Sequence, residues 1–455
     1  MEEKMLSAKE LKEIWLKAAN EKPEFQARIK DGIEQNRKGD FKIRFFDGEG
    51  NPLKNTEVKF NQKSHEFKFG AHIFMLDEFE KAEDNAKFRE FFKEYFNLAT
   101  VPFYWDGLEP EENKPRYDKD SAKVYRRPAP DLCMQYCEEN GIDTKLHCLV
   151  YDKFIPSWLP KDNMVEMEHL YEKRFKEISE RYTGRMVEFE VINETLQTYL
   201  WKTDSVITSK EDLNEWAFSL AKKYFPDETL VINEGAVNVD IANKGIWSAY
   251  YLEIENALLK GVPIDKIGIQ HHLFTGATSK TDEQYERAVQ NEYLRFADPE
   301  VSFRMLDTLG KFGLPLELTE VTIPTFGEGE EFEELQAELL KLLYSVWFSH
   351  PQVDSVVYWN QFDGYCYVGD SNWNENNCRG GLFHHDLTPK KSAHMLKKLL
   401  TEEWHTKGTL TTDEDGYIEF RGFFGDYEFD VDDEKIIADF GKNSKKEINL
   451  TVTAK

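Results

Sequence analysis

The chain has 455 residues, 40% of them hydrophobic and 14% aromatic, enough to bury the core of one large domain and a smaller companion. Its 85 acidic residues against 58 basic ones give a formal charge of −27, which argues against nucleic acid or an anionic membrane surface as partner, because phosphate binding needs a positive footprint. The five cysteines are odd in number and form no CxxC pair, which argues against a disulfide framework and a structural zinc site.

The start, MEEKMLSAKELKEIWLKAANEKPEF, has an acidic amphipathic helix pattern without the apolar stretch of a leader, and no later segment reaches the length of a membrane span. With reduced thiols, this predicts a cytoplasmic protein, or a secreted one whose leader has been removed. KIRFFDGEGNPLKNTEVKF (42–60) reads as two strands around a turn.

From Phe67 short apolar runs alternate with charged, helix-periodic segments. Eight such runs occur: FKFGAHIF from Phe67, NLATVPFYW from Asn97, DTKLHCLV from Asp143, EFEVIN from Glu188, TLVIN from Thr229, KIGIQHHL from Lys266, PLELTEV from Pro315 and SVVYWN from Ser355. Helical patterns such as LNEWAFSLAKKYF (from Leu213) and EEFEELQAELLKLLYSVWF (from Glu330) lie between them. Eight strand–helix units predict a closed (β/α)8 TIM barrel. After it, GTLTTDEDGYIEFRGFFGDYEFDV from Gly408 reads as a β-meander. The predicted division is 1–66 and 401–455 as a small accessory β-sandwich made from both chain ends, with 67–400 as the catalytic barrel.

Carboxylates are costly inside such strands unless they are paired or put to use. EFEVINE carries three, and LELTE two. In a TIM barrel functional residues sit at the C-terminal strand ends, where Glu194 closes the fourth strand and Glu320 nears the end of the seventh. Two carboxyl groups aimed into one cleft are the equipment of a glycosidase.

The motifs also resemble a known family. FEVINET is similar to the acid/base motif Trp-Asp-Val-Val-Asn-Glu of glycoside hydrolase family 10, and LELTEVTI to its nucleophile motif Ile-Thr-Glu-Leu-Asp-Ile. LHCLVYDKFIPSWL, IGIQHHL, VVYWNQFDG and GLFHHDLTPKKSAHML resemble further family segments in order, so the likeness runs from about Phe67 to Leu400. It implies a retaining β-glycoside hydrolase, cleaving xylan or another β-linked polysaccharide or oligosaccharide, with no cofactor and no metal. Carried over, Glu194 is the acid/base and Glu320 the nucleophile. Asn193 holds the sugar 2-hydroxyl, and His272 bonds Glu320 while leaning on Glu190, a chain expected to keep the nucleophile ionised. His147, Gln270 and Trp359 are implied as sugar contacts, although a lone strand histidine is more often a core residue.

The sequence departs from the family on the non-reducing side of the cleaved bond. Where xylanases carry Glu-Asn-x-x-Lys-Trp, this chain has Thr100, Val101 and Tyr104 before Trp105. Val-Trp-His becomes Val150-Tyr151-Asp152, and Asn-Asp-Tyr-Asn becomes Asn233-Glu234-Gly235-Ala236. Tyr104, Tyr151 and Asn233 are therefore expected to line rewritten subsites, with plain xylan a poor substrate and Gly235 and Ala236 making room for a bulkier sugar. Two other readings are a metal-dependent hydrolase using His147, His271, His272 and carboxylates, and a non-catalytic glycan-binding protein.

Overall fold

A computed structural model describes residues 7–198, 203–274, 277–278, 281, 284, 299–369 and 372–453. The N-terminal pattern, of which residues 1–6 lie outside the described part, forms two helices, Ala8–Glu21 and Pro23–Asn36, broken where Pro23 pushes Lys22 out of helical geometry. Phe25 of the second meets Phe303 edge-on at 5.2 Å. Arg28 pairs with Asp307 at 2.6 Å. These helices bury their apolar residues in the same core as the barrel.

Strands β1 (Lys38–Phe46) and β2 (Glu57–Gln62) follow. All eight predicted apolar runs are then strands: β3 (Lys68–His72), β4 (Leu98–Pro102), β5 (Asp143–His147), β6 (Glu188–Asn193), β7 (Thr229–Glu234), β8 (Lys266–His272), β9 (Leu316–Thr322) and β10 (Val353–Tyr358). They form a closed parallel barrel in chain order, β10 pairing back onto β3 with Ser355 opposite Lys68. Helices alternate with the strands and bury the outer strand face, so both faces of each strand are covered and the runs read as apolar.

Five more strands, β11 (Lys407–Thr411), β12 (Tyr417–Phe423), β13 (Gly425–Val431), β14 (Glu434–Phe440) and β15 (Glu447–Thr451), join β1 and β2 in two sheets of order β12-β1-β15 and β11-β2-β13-β14. Phe41, Ile43, Phe45, Phe60, Tyr427, Phe429 and Phe440 are buried together there. The local pairing differs from the expected meander. β1 and β2 lie in different sheets, and only β13–β14 is a hairpin of neighbouring strands. A single residue, Phe424, separates β12 from β13, too few for the two-residue turn a hairpin needs, so the chain crosses to the other sheet.

Two irregularities in the barrel bear on function. The β6–β7 register shifts between Glu190 and Ile192, and the β8–β9 register between Ile269 and Gln270. Bulges re-aim side chains beside functional sites. Here they let Glu190 and Asn193, three apart, both face the interior.

Candidate active site

The interior polar residues form two layers. The lower is a charge cluster. Lys145 Nζ donates to Glu317 Oε2 at 2.7 Å and lies 3.8 Å from Glu190. Lys266 pairs with Glu188 and, at 2.9 Å, with Asp354. Burial pushes the Glu317 carboxyl up to about 8, with Glu188 adding to it and the two lysines opposing. Burial also works to raise Glu188, but Lys266 and Lys145 hold it below the usual value. Lys145 and Lys266 thus account for Glu317 and Glu188, strand carboxylates outside the Glu194–Glu320 pair. The signal was in the sequence as Lys145 and Lys266, charged residues within apolar strand runs.

The upper layer contains Glu194 and Glu320. Glu194 sits just beyond β6 with φ at 56°, a left-handed conformation uncommon for glutamate. Its N–H donates to the Asn233 carbonyl at 3.0 Å. The turn after it is tied by Glu234, which accepts from Leu196 N at 2.7 Å and Gly235 N at 2.8 Å and has the Thr195 hydroxyl oxygen 3.3 Å away. Thr195 gives its proton to Glu253 at 2.6 Å. Burial pushes the Glu234 carboxyl well above the usual carboxylate range. Glu234 had been noted only as a departure from a motif; it anchors the turn that presents Glu194. On the side chain, Tyr151 OH donates to Oε2 at 2.8 Å and Gln270 Nε2 to Oε1 at 2.9 Å.

Glu320 Oε2 lies 3.0 Å from His272 Nε2, as expected, and Oε1 accepts from Asn233 Nδ2 at 3.2 Å. The expected support behind His272 is different. Its Nδ1 faces the Thr322 hydroxyl at 2.9 Å, and Glu190 instead lies 2.8 Å from His147 Nδ1. The bulge after Glu190 keeps that carboxylate low in the barrel, beside Lys145 and His147. Burial pushes His272 down to about 4, so a neutral ring faces Glu320 through Nε2 and Thr322 through Nδ1. Burial works to lower His147 too, but Glu190 outweighs it and raises the ring. Glu190 thus supports His147 on β5 rather than His272 on β8, where the sequence put that support.

This changes the nucleophile expectation as well. Burial pushes Glu320 up to about 8; His147 pulls it back, while Glu190 and Glu194 push it further. A neutral His272 brings no charge to hold the carboxylate ionised.

Asn233 was expected to touch substrate, yet it is 1% exposed and its amide is spent inside. Nδ2 reaches Glu190 Oε1 at 3.1 Å, Asn193 Oδ1 at 2.9 Å and Glu320, while Oδ1 accepts from Thr319 at 2.6 Å. Asn193 Oδ1 also accepts from Gln270 at 3.2 Å. One lattice through Asn193, Asn233 and Gln270 therefore links both glutamates. The small residue at 235 makes no room for a sugar, because an added Cβ there would stand 2.4 Å from Gln270 Oε1. Gln270 fills that space.

Tyr104, Tyr151, Phe74, Cys148 and Trp359 form an aromatic-rich cluster of their own at the strand ends. Tyr104 OH lies 2.8 Å from His147 Nε2, and Trp359 meets His147 edge-on at 5.3 Å. Val101 is fully buried in the layer between barrel and helices and has no part in the cleft. Trp158 donates to the Glu109 carbonyl at 2.9 Å, a packing role. The histidine set of a metal site is not brought together: His271 lies against Trp347 on the outer strand face, 2.7 Å from Asn238. His147, Cys148 and Glu190 do bring possible ligand atoms within 4.8 Å, but both His147 nitrogens already face Tyr104 and Glu190.

With this geometry in view, comparison with known proteins gives the family. The model of glycosyl hydrolase family 10 matches residues 62–398. The chain belongs to glycosyl hydrolase family 10. As a family 10 protein it is similar to endo-1,4-beta-xylanase 1 of Arabidopsis thaliana, 23% identical over 91% of this chain but only 39% of the plant protein, so it spans less than half of that relative. Endo-1,4-beta-xylanase B of Thermotoga neapolitana is 24% identical over 70% of this chain and 85% of its own. The crystal structure of xylanase 10B from Thermotoga petrophila RKU-1 in complex with xylobiose superposes with a TM-score of 0.56 at 22% identity, covering 74% of this chain and 95% of that one, a likeness of fold. No helix among the described residues of this family 10 chain is long and apolar enough to cross a membrane.

Proposed function

We propose that this family 10 chain is a retaining β-glycoside hydrolase acting on a xylan-related or other β-linked oligosaccharide or polysaccharide. Glu320 is the nucleophile and Glu194 the acid/base. The observation that carries the reading is the shared lattice: two glutamates on different strand ends, each held by two side-chain partners and joined through Asn193, Asn233 and Gln270. In the first step Glu320 attacks the anomeric carbon while Glu194 gives its proton to the leaving oxygen; in the second, water bonds to the anomeric carbon and gives a proton to Glu194 as the glycosyl–Glu320 bond breaks.

The supporting residues divide by position. His272 and Asn233 hold Glu320, and Tyr151 and Gln270 orient Glu194. The contact of its hydroxyl with His147 Nε2 at 2.8 Å holds Tyr104 in place beside the sugar site. Trp359 serves as the apolar floor. Tyr104, with one hydroxyl and a ring where xylanases of the family carry lysine, remains the reason to expect plain xylan to be a poor substrate. The barrel, 67–400, is the catalytic unit, with 1–66 and 401–455 accessory to it.

Azide supplied to Glu194→Ala tests the scheme, because a small anion can attack the glycosyl-enzyme without base assistance. Restored turnover with a β-glycosyl azide product is expected. An α-azide product would mean inversion and remove Glu320 from the nucleophile role.

A further inference from the structure

In a chain with 27 more acidic than basic residues, an arginine beside the candidate cleft has no acid among the described residues paired with it. The Arg127 guanidinium carbon lies 4.1 Å from the Tyr104 ring centroid, 5.5 Å from Phe74 and 5.6 Å from Phe154. Its stem lies over Gly107, where a Cβ would stand 2.7 Å from Cγ. Nη1 donates to the neighbouring Arg126 carbonyl at 2.9 Å, and no carboxylate among the described residues is within ion-pair distance. Asp106 feels the charge from farther off, yet burial still raises its carboxyl.

The position is one ring away from the chemistry. Tyr104 OH reaches His147, and its ring lies 6.0 Å from Tyr151, whose hydroxyl reaches Glu194. A second cation extends the same wall: Lys153 Nζ is 5.5 Å from Phe154 and 5.8 Å from Tyr367. Aromatic faces favour a cation but do not neutralise it, and the planar guanidinium fork matches a carboxylate. We infer that the sugar bound against Tyr104 carries a carboxylate, which Arg127 receives. The inference rests on the hydrolase reading and narrows its substrate to acidic β-glycosides.

Two substrate pairs test it, each differing only in a carboxyl group reduced to an alcohol. One is a glucuronosyl-substituted xylotriose and its reduced form, the other an aryl β-glucuronide and the aryl β-glucoside; an aryl β-xyloside is run beside them. The wild type is expected to prefer the acidic member of one pair by about tenfold or more in kcat/KM, as for a hydrogen bond to a charged group. Added salt should shrink that preference. Preference in the first pair assigns the carboxylate to a substituent, and in the second to the sugar at the cleaved bond. Arg127→Gln should bring the ratio toward one, while Arg127→Lys, a point charge without the fork, should keep part of it. Equal rates within both pairs overturn the inference, as does a full preference kept by Arg127→Gln. Turnover of the aryl xyloside with no acid preference defeats this inference alone; no turnover of any substrate defeats the hydrolase reading and this inference with it.

Discussion

Asn233→Asp exchanges one NH2 for one oxygen and leaves the side chain's shape unchanged. In the wild type that NH2 faces three acceptors, Glu190 Oε1 at 3.1 Å, Asn193 Oδ1 at 2.9 Å and Glu320 Oε1 at 3.2 Å. An ionised carboxyl there sets oxygen against oxygen at all three. Two of the acceptors are carboxyl groups, and hydrogen bonds to charged groups are worth about 1.5–3 kcal/mol each, so the loss is about 3–6 kcal/mol at high pH. When protonated, the introduced carboxyl donates one bond and recovers part of that loss. Burial and two acidic neighbours raise its folded pKa above the unfolded value of about 3.9, so the folded state binds the proton more tightly. Stability is then fully present below the unfolded pKa and is lost as pH rises through the folded one. The assay is the N233D to wild-type ratio of kcat/KM on an aryl β-xyloside across pH, with melting temperatures at the same pH values. We expect a ratio below roughly 1/100 on the alkaline side, improving toward acid. A ratio that is flat with pH, or a loss of less than about threefold, would refute the role given to Asn233.

Four further outcomes follow from the site. The rising limb of kcat/KM against pH, which reports ionisation of the nucleophile, should lie well above the usual carboxylate range, toward the value of about 8 that burial gives Glu320; a limb near 4.5 would contradict it. By the same linkage Glu320→Gln should gain stability over the wild type as pH rises from the ordinary carboxyl value through about 8, read from melting curves, since the raised carboxyl stabilises the fold only while protonated. Tyr151→Phe removes the 2.8 Å donor to Glu194 and should cost about 10-fold to 100-fold, most with poor leaving groups; equal losses on good and poor leaving groups would separate Tyr151 from acid catalysis. Glu234→Ala releases Leu196 N and Gly235 N and should lower kcat far more than it changes KM, with azide restoring part of the rate on an activated substrate; an unchanged kcat would leave Glu234 a purely structural residue.

Much of the fold was legible because parallel strands covered on both faces leave a plain mark, a short apolar run between longer amphipathic ones. LELTEVT and KIGIQHH needed nothing more. The two sheets at the chain ends were legible in their strands but not in their pairing, since β1 finds its partners in β12 and β15, more than 370 residues away, and period-2 patterning is silent on which strand lies beside which. In the site, Glu194 and Glu320 followed from strand ends, and the His272–Glu320 contact from the family resemblance. The support behind them did not. A bulge between Glu190 and Ile192 shifts which side chains share a level, so Glu190 meets His147 rather than His272. Asn233 and Gly235 looked like subsite residues because they stand where the family has Asn-Asp-Tyr-Asn, yet one is consumed by the carboxylates and the other is covered by Gln270. Val101 was counted with Tyr104 because both fall in the stretch that replaces the family's Glu-Asn-x-x-Lys-Trp, although alternation along β4 points it outward.

The central claim is that Glu320 forms a covalent bond to the sugar. Incubation with an activated 2-deoxy-2-fluoro-β-glycoside, whose fluorine slows release of the intermediate, followed by peptide mass spectrometry, tests it most directly. The account predicts a single glycosyl adduct on Glu320, absent from Glu320→Gln and discharged when a second sugar is added as acceptor. An adduct on any other residue, or steady turnover of the reagent with no adduct, would contradict it.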